Sequence, residues 1–300
     1  MSSQMLTGRS VVVTGSGRGL GRAYAKAVAA AGAGVVVNDV DADAAAAVVD
    51  EIEADGGLAT SVVAPVGPTE TADALVAAAV ERFGRLDAMV TNAGLLRDRS
   101  VGKMSDDDWD AVIATHLRGT FTCARAAIAR FREQGDGGRL VLVGSPAGQR
   151  ASFGQTNYSA AKAGIVGMAR TLAAETARYG ITVNALVPVA LTRMVATIPA
   201  FADAVAALER GEPVPEQLRA NGVGSAEDVA PLLVWLLSDA AADVTGQALG
   251  VGGDKITVWT HPAVAAEASM PGGWTAEAIA KEFPAQLAPH LQPYAPEGRK

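Results

Sequence analysis

The stretch Val11-Val12-Val13-Thr14-Gly15-Ser16-Gly17-Arg18-Gly19-Leu20-Gly21 decides the fold. A β-branched run leads directly into a glycine-rich turn, and the segment Leu20–Ala31 behind it reads as a helix. Glycines at a strand-to-helix turn let the backbone come close to an anion, which then faces the positive end of the helix. Many loops contain three glycines, so the turn alone is weak. Its surroundings strengthen it: a second strand-like run, Gly34–Asn38, ends beside Asp39 about twenty residues on, where an acid can accept hydrogen bonds from a ribose.

Outward from this unit the same rhythm repeats. Further strand-like runs are Ala59–Ala64, Ala88–Thr91, Arg139–Gly144, Thr182–Leu186 and Ala248–Val251, with Ser10–Thr14 as the first. Helical stretches fall at Ala42–Asp55, Thr71–Phe83, Asp107–Arg132, Thr156–Tyr179 and Ala226–Leu237. None of the runs alternates cleanly between polar and apolar, as expected of strands covered on both faces. The pattern predicts an α/β fold: a doubly wound, mostly seven-stranded parallel sheet with right-handed crossovers, in one domain over 1–254. Residues 195–221 read as an irregular helical insertion suited to a lid. The tail 255–300, with a short helix expected at Thr275–Phe283, does not read as an independent domain.

Composition narrows the function. The chain has 300 residues, 49% of them hydrophobic but only 5% aromatic, so the core must be built from Ala, Val and Leu. A net charge of -7 without a Lys/Arg cluster argues against a nucleic-acid partner. No apolar run is long enough to span a membrane, and no leader-like segment stands at the start. The single Cys123 fits a reducing compartment and reads as helix packing, so a cytoplasmic protein is expected. His261 and His290 are isolated, and no metal site is expected.

In the first half, the turn residues Gly15, Gly17, Arg18, Gly19, Leu20 and Gly21, with Asp39, make a candidate dinucleotide site. A carboxylate at Asp39 would repel the 2′-phosphate of NADP, which favours NAD. Arg18 pulls the other way, since it could pair with that phosphate. Asp39 could instead cap the following helix. Asn92-Ala93-Gly94, after the fourth strand, would let a loop pass close to the adenosine.

In the second half, Tyr158 and Lys162 lie four apart in a helical stretch and so share a face. A tyrosine ionises near pH 10. A nearby ammonium lowers that value and makes Tyr158 a plausible acid/base for a secondary alcohol. Ser145 ends the fifth strand, at the ligand-binding edge, where its hydroxyl could hold a substrate oxygen or simply cap the turn.

Taken together, Thr14-Gly15-x-x-x-Gly19-x-Gly21, Asn92-Ala93-Gly94, Ser145 and Tyr158-x-x-x-Lys162 strongly resemble the short-chain dehydrogenase/reductase family, over Leu6–Asp254. The resemblance implies a single Rossmann-type domain, usually in a homodimer or homotetramer. It implies Tyr158 as acid/base, Lys162 on the ribose, and Ser145 orienting the carbonyl. Val35–Asp39, the Asn92–Asp98 segment, His116-Leu117-Arg118-Gly119 and Phe153–Tyr158 look like the 3-hydroxyacyl-CoA dehydrogenase domain of peroxisomal multifunctional β-oxidation enzymes. Some positions depart from the family pattern. His116 stands where most members carry an Asn that supports a proton relay. Pro65 replaces an Asp, which leaves the adenine contact to Val66. Pro188-Val189 replaces Pro-Gly before the usual threonine, Thr192, and the backbone there is still expected to meet the carboxamide. Pro146 follows Ser145 where small residues are usual.

The expected activity is hydride transfer between NAD and a secondary alcohol, with 3-hydroxyacyl-CoA as a candidate substrate. A carbonyl or 3-oxoacyl thioester reductase is the alternative, and a non-catalytic dinucleotide sensor a remoter one. Met194 and Phe201 suggest a greasy lid, or ordinary packing. Trp259, Trp274 and Tyr294 in the tail could reach a neighbouring subunit or pack the tail down.

Overall fold

The computed structural model describes residues 4–197 and 199–293, so Tyr294 lies outside the described residues. The chain divides into two compact units, Met1–Trp259 and Thr260–Lys300.

The first unit is built on a sheet of β1 (Ser10–Thr14), β2 (Gly34–Asp39), β3 (Leu58–Val63), β4 (Ala88–Thr91), β5 (Gly138–Val143), β6 (Ile181–Pro188), β7 (Ala248–Gly252) and β8 (Lys255–Trp259). Their order is β3-β2-β1-β4-β5-β6-β7-β8. The seven expected strands pair in parallel, and an eighth is added: β8 turns back antiparallel onto β7, pairing Gly252 with Lys255. The sheet is thus eight-stranded, extended by the first residues of what reads as tail. The β-branched run Ile256-Thr257-Val258 carries a strand signal of its own, set in the segment read as tail.

Six strands, β1, β2, β4, β5, β6 and β7, are buried almost throughout. The edges differ. In β3 the burial alternates along the strand, because one neighbour is missing and one face meets water. On β8, Ile256 and Val258 are exposed.

Helices α1 (Gly19–Ala30), α2 (Ala42–Ala54) and α9 (Ala226–Leu237) belong to one side of the sheet. Tyr24, Val28, Val48, Ile52, Leu233 and Leu237 form the core there. On the other side, α3 (Thr69–Phe83), α5 (Gly119–Gln134) and α6 (Thr156–Thr176) bury Leu75, Phe131 and Ile165 against Val12, Leu140 and Val183. Cys123 sits in this core, and burial pushes its thiol up to about 12. Small residues let these helices seat closely: a Cβ on Gly34 would fall 2.6 Å from the Phe83 ring.

The stretch expected as one helix over Asp107–Arg132 is interrupted. Helix α4 (Asp106–Val112), started by a Ser105–Asp108 capping box, passes into a π-helical segment Ile113–Arg118 before α5 begins. The wider turn alters the phase of the helix at His116. The insertion contains α7 (Pro199–Glu209) and α8 (Glu216–Ala220), with Leu191, Val205 and Val214 as a small core of their own. In the second unit, Thr275 caps α10 (Ala276–Gln286) by accepting from the Ala278 amide. Among the described residues no helix is long and apolar enough to cross a membrane.

Candidate active site

Strand order reverses between β1 and β4, and a crevice opens there beyond the carboxyl ends of the strands. A cavity of about 860 Å³ occupies it. Gly15, Arg18, Gly19, Leu20, Gly21 and Asp39 line one end, with Val66, Asn92, Ala93 and Gly94 beside them. His116, Ser145, Tyr158 and Lys162 line the other part, with Pro188, Val189 and Thr192 at and beyond the end of β6. Of the candidate catalytic and dinucleotide-site residues, Gly17 alone does not line it. Its amide donates to Asp39 Oδ2 at 2.9 Å, and a Cβ there would fall 2.8 Å from that oxygen. Gly17 therefore seats the carboxylate.

Polar side chains lace the strand ends together. Asn92 Nδ2 donates to the carbonyls of Thr14 and Gly15, both at 3.0 Å, while Thr14 Oγ1 accepts from the amides of Asn92 and Ala93. Asn38 Nδ2 similarly ties β2 to the carbonyls of Val62 and Ala64. Asn92 thus shapes the turn from behind. The turn is tight enough that a Cβ on Gly21 would lie 2.1 Å from the Gly15 carbonyl oxygen.

The residues fit a dinucleotide. Helix α1 begins at Arg18 with no side-chain cap and no acid in its first turn, so its first amides are left for an anion. The helix after β2 is capped by Asp41, which accepts from Ala44, so Asp39 is not its cap. Asp41 also pairs with Arg18 at 2.5 Å. The Val189 amide, in contrast, donates to the Val251 carbonyl, and the Val189 carbonyl accepts from Gly224. A contact from Val189 to a carboxamide must therefore come from its side chain or the second lone pair of its carbonyl.

At the catalytic end, Ser145 Oγ accepts from the Ala147 amide at 3.2 Å, so it caps the short turn Pro146–Gly148 while remaining in the cavity. Burial raises the Tyr158 phenol above its ordinary value, a hydrogen bond with Ser145 draws it back, and the Asp98 carboxylate pushes it up. Lys162 is fully enclosed, and burial lowers its ammonium to about 7. Its Nζ donates to the Val143 carbonyl at 2.6 Å and lies 5.5 Å from the centre of the Tyr158 ring. The sequence suggests that Lys162 lowers the Tyr158 value. Among the chain's own groups burial is the largest influence, raising the phenol and lowering the lysine ammonium together.

His116 packs edge-on to Tyr158, ring centres 5.1 Å apart. Its Nε2 meets the backbone of Leu95, 2.8 Å from the carbonyl and 3.1 Å from the amide, and Nδ1 is buried without a partner among the described residues. Burial and then the Lys162 charge bring it down to about 3, so the imidazole is neutral at any working pH.

Asn157 drew no individual reading in the sequence. It is wholly buried, donates to the carbonyls of Arg97 and Asp108, and accepts from the Tyr158 amide at 2.8 Å. It fastens the start of α6 to α4 and to the loop after β4. Its position directly before the tyrosine was the available signal.

A family model described as short chain dehydrogenase matches residues 9–202. The chain belongs to the short-chain dehydrogenase family. It is therefore an oxidoreductase of CH–OH groups that works with a nicotinamide dinucleotide, in the expected Rossmann-like fold. A hydroxyacyl-CoA dehydrogenase of Mycobacterium tuberculosis is 42% identical over 269 residues, covering 86% of this chain and 81% of that one. A peroxisomal hydratase-dehydrogenase-epimerase of Neurospora crassa is 40% identical over 209 residues, 70% of this chain but 21% of that protein. The chain thus spans only about a fifth of that much longer relative. The crystal structure of a short chain dehydrogenase from Mycobacterium avium superposes with a TM-score of 0.84 at 39% identity, covering 98% of this chain and 100% of that one.

Proposed function

We propose that this short-chain dehydrogenase oxidises the secondary hydroxyl of 3-hydroxyacyl thioesters, with NAD as its cofactor. The observation that carries the reading is one continuous cavity with Asp39 at one end and Ser145, Tyr158 and Lys162 at the other. Asp39 presents negative charge where a 2′-phosphate would have to sit, and Asp41 neutralises the one arginine of the turn.

When bound, the nicotinamide supplies the hydride acceptor and a positive charge that favours the Tyr158 phenolate. Ser145 holds the substrate hydroxyl oxygen in reach of Tyr158. Lys162 favours the Tyr158 phenolate by its charge. The phenolate takes the hydroxyl proton and becomes the phenol, and Lys162 passes that proton outward to restore the phenolate. The apolar residues Leu95, Leu96, Met194, Val195 and Phe201 line the same space and suit an acyl chain. Phe201 also packs with Leu191 and Val205, so it serves both cavity and core. The names of the relatives point to the same substrate class.

We take the working form to be a cytoplasmic homodimer or homotetramer, which light scattering on the purified protein tests. NAD reduction with 3-hydroxyacyl-CoA esters of graded chain length, beside simple and steroid secondary alcohols, tests the substrate. Efficient turnover of the thioesters is expected. Activity on free alcohols alone would overturn the thioester and leave the secondary-alcohol chemistry, and a strong preference for NADPH with 3-oxoacyl thioesters would favour the reductive direction.

A further inference from the structure

Ahead of Tyr158, three side chains form a chain of hydrogen bonds beside the cavity. Gln155 Nε2 donates to Asp98 Oδ2 at 2.9 Å, and Ser152 Oγ donates to Gln155 Oε1 at 2.7 Å. Both Ser152 and Gln155 line the cavity. The backbone holds the arrangement in place: the Arg99 amide donates to the Gly154 carbonyl at 2.8 Å, and Arg99 and Gln155 form an isolated parallel bridge.

The chemistry of the three groups fixes their directions. A carboxylate only accepts, so Asp98 compels Gln155 to present its nitrogen. The Gln155 oxygen then faces Ser152 and takes the single hydroxyl proton of that residue. One N–H of Gln155 remains, with no acceptor among the described residues. Gln155 stands at the N-terminal boundary of α6, yet its side chain makes no capping bond to the helix. Local helix chemistry does not account for its orientation, and the other oxygen of Asp98, Oδ1, is buried without a partner. A buried carboxylate oxygen without a partner is unfavourable.

We infer that Gln155 is a specificity residue, whose remaining N–H donates to a neutral carbonyl oxygen on the substrate close to the reacting carbinol. Asp98 is the positioning residue that holds the amide in that orientation. This rests on the proposed thioester reading and deepens it: the carbonyl of a 3-hydroxyacyl thioester lies two carbons from the hydroxyl carbon. Asp98 behind the amide also sets the charge preference. Its negative charge disfavours a free carboxylate at the same place and leaves a neutral thioester, ester or ketone carbonyl as the favoured acceptor. The remaining acceptor capacity of Ser152 Oγ suits a hydroxyl or amide N–H farther along the substrate.

The test uses three matched alcohols with the full-length enzyme and NAD: 3-hydroxybutyryl-N-acetylcysteamine, free 3-hydroxybutyrate and 2-pentanol. The wild type should prefer the thioester over both others. Replacing Gln155→Leu should lower kcat/KM for the thioester by about 10- to 100-fold, the range of one lost hydrogen bond that leaves its partner unsatisfied, and leave 2-pentanol nearly unchanged. Asp98→Asn should lower the ratio of thioester to 2-pentanol kcat/KM by less than Gln155→Leu does, because an amide at 98 can also donate and so lets Gln155 turn over. The loss of charge beside Tyr158 acts on all three alcohols alike. Thermal melting of both variants checks that each is folded, and Asp98→Asn carries the test if the leucine variant is not. An equal loss on all three alcohols, or none on the thioester, overturns the role of Gln155 while thioester turnover by the wild type still supports the proposed function. A wild type that does not oxidise the thioester overturns both.

Discussion

The imidazole of His116 lies flush against the α-carbon of Gly94: a Cβ added to that glycine would sit 2.2 Å from Cε1 of the ring. The same ring packs edge-on to Tyr158. The loop after β4 and the acid/base thus share one rigid wall, with His116 between them.

Gly94→Ala should therefore move His116 and, through it, Tyr158. Overpacking of a tight site costs about 1–3 kcal/mol, and a shift of an ångström at a reacting group can cost about 100-fold in rate. The expected outcome is a kcat lowered at least about 10-fold with dinucleotide affinity changed much less. Steady-state kinetics and cofactor fluorescence titration measure the two. Because burial holds His116 near 3, no limb of the pH–rate profile near 6.5 should belong to it, and His116→Asn should leave the apparent pKa values in place.

Lys162 makes stability depend on pH in an unusual direction. Burial lowers its value from 10.5 to about 7 in the fold, so between those limits the unfolded chain binds the extra proton. Stability from this group therefore rises as pH climbs from about 7 to about 10.5, and the penalty of enclosing the charge is full below about 7. Comparing thermal unfolding of the wild type with Lys162→Met at several pH values isolates this term. The fixed loss of the bond to the Val143 carbonyl cancels in the comparison. The Tm of the variant relative to the wild type should be highest at pH 6 and fall toward pH 10, while activity is lost throughout. A pH-independent difference would contradict the burial of a titrating lysine.

Asp41 does two jobs, capping α2 and holding Arg18. Asp41→Ala should lower stability through the lost cap, read as a fall in Tm. It should also free Arg18 to meet a 2′-phosphate and so raise kcat/KM for NADP relative to NAD. Asp39→Ala should shift that ratio further, since it removes the charge at the end of β2. An unchanged ratio in the Asp39 variant would remove that residue from cofactor choice.

Asn157→Ala leaves two carbonyls and the Tyr158 amide without their partner. Each buried polar group left unsatisfied costs about 1–3 kcal/mol, so a clear fall in Tm is expected. Activity measured well below the melting range should fall as well, because the first turn of α6 is no longer fixed to the loop after β4.

The sheet was legible because parallel strands covered on both faces carry uninterrupted Val-rich runs, as at Val35–Val37 and Leu140–Val143. β8 is a different case: Ile256-Thr257-Val258 carries a β-branched run, but the strand is short, exposed along most of its length, joined to β7 by a two-residue turn and set in the segment read as tail. The π-helical turn at His116 escaped because its residues suit an ordinary helix, and only packing against Leu95 and Gly94 distinguishes it. In the site, residue types and spacing carried Tyr158, Lys162 and Ser145. The supporting contacts did not show in the sequence. Gly17 under Asp39, Asp41 on Arg18 and Asp98 behind Gln155 join residues that are not paired by any periodic spacing.

The central claim is that Tyr158 is the acid/base of an alcohol dehydrogenation carried out in this cavity. It is tested most directly by comparing Tyr158→Phe with the wild type in NAD reduction by 3-hydroxyacyl-CoA, with NAD binding measured in parallel. Turnover reduced by at least about 100-fold, the contribution expected of a positioned acid/base, with NAD affinity retained, is the predicted result. Turnover that survives the loss of the phenol hydroxyl would contradict it.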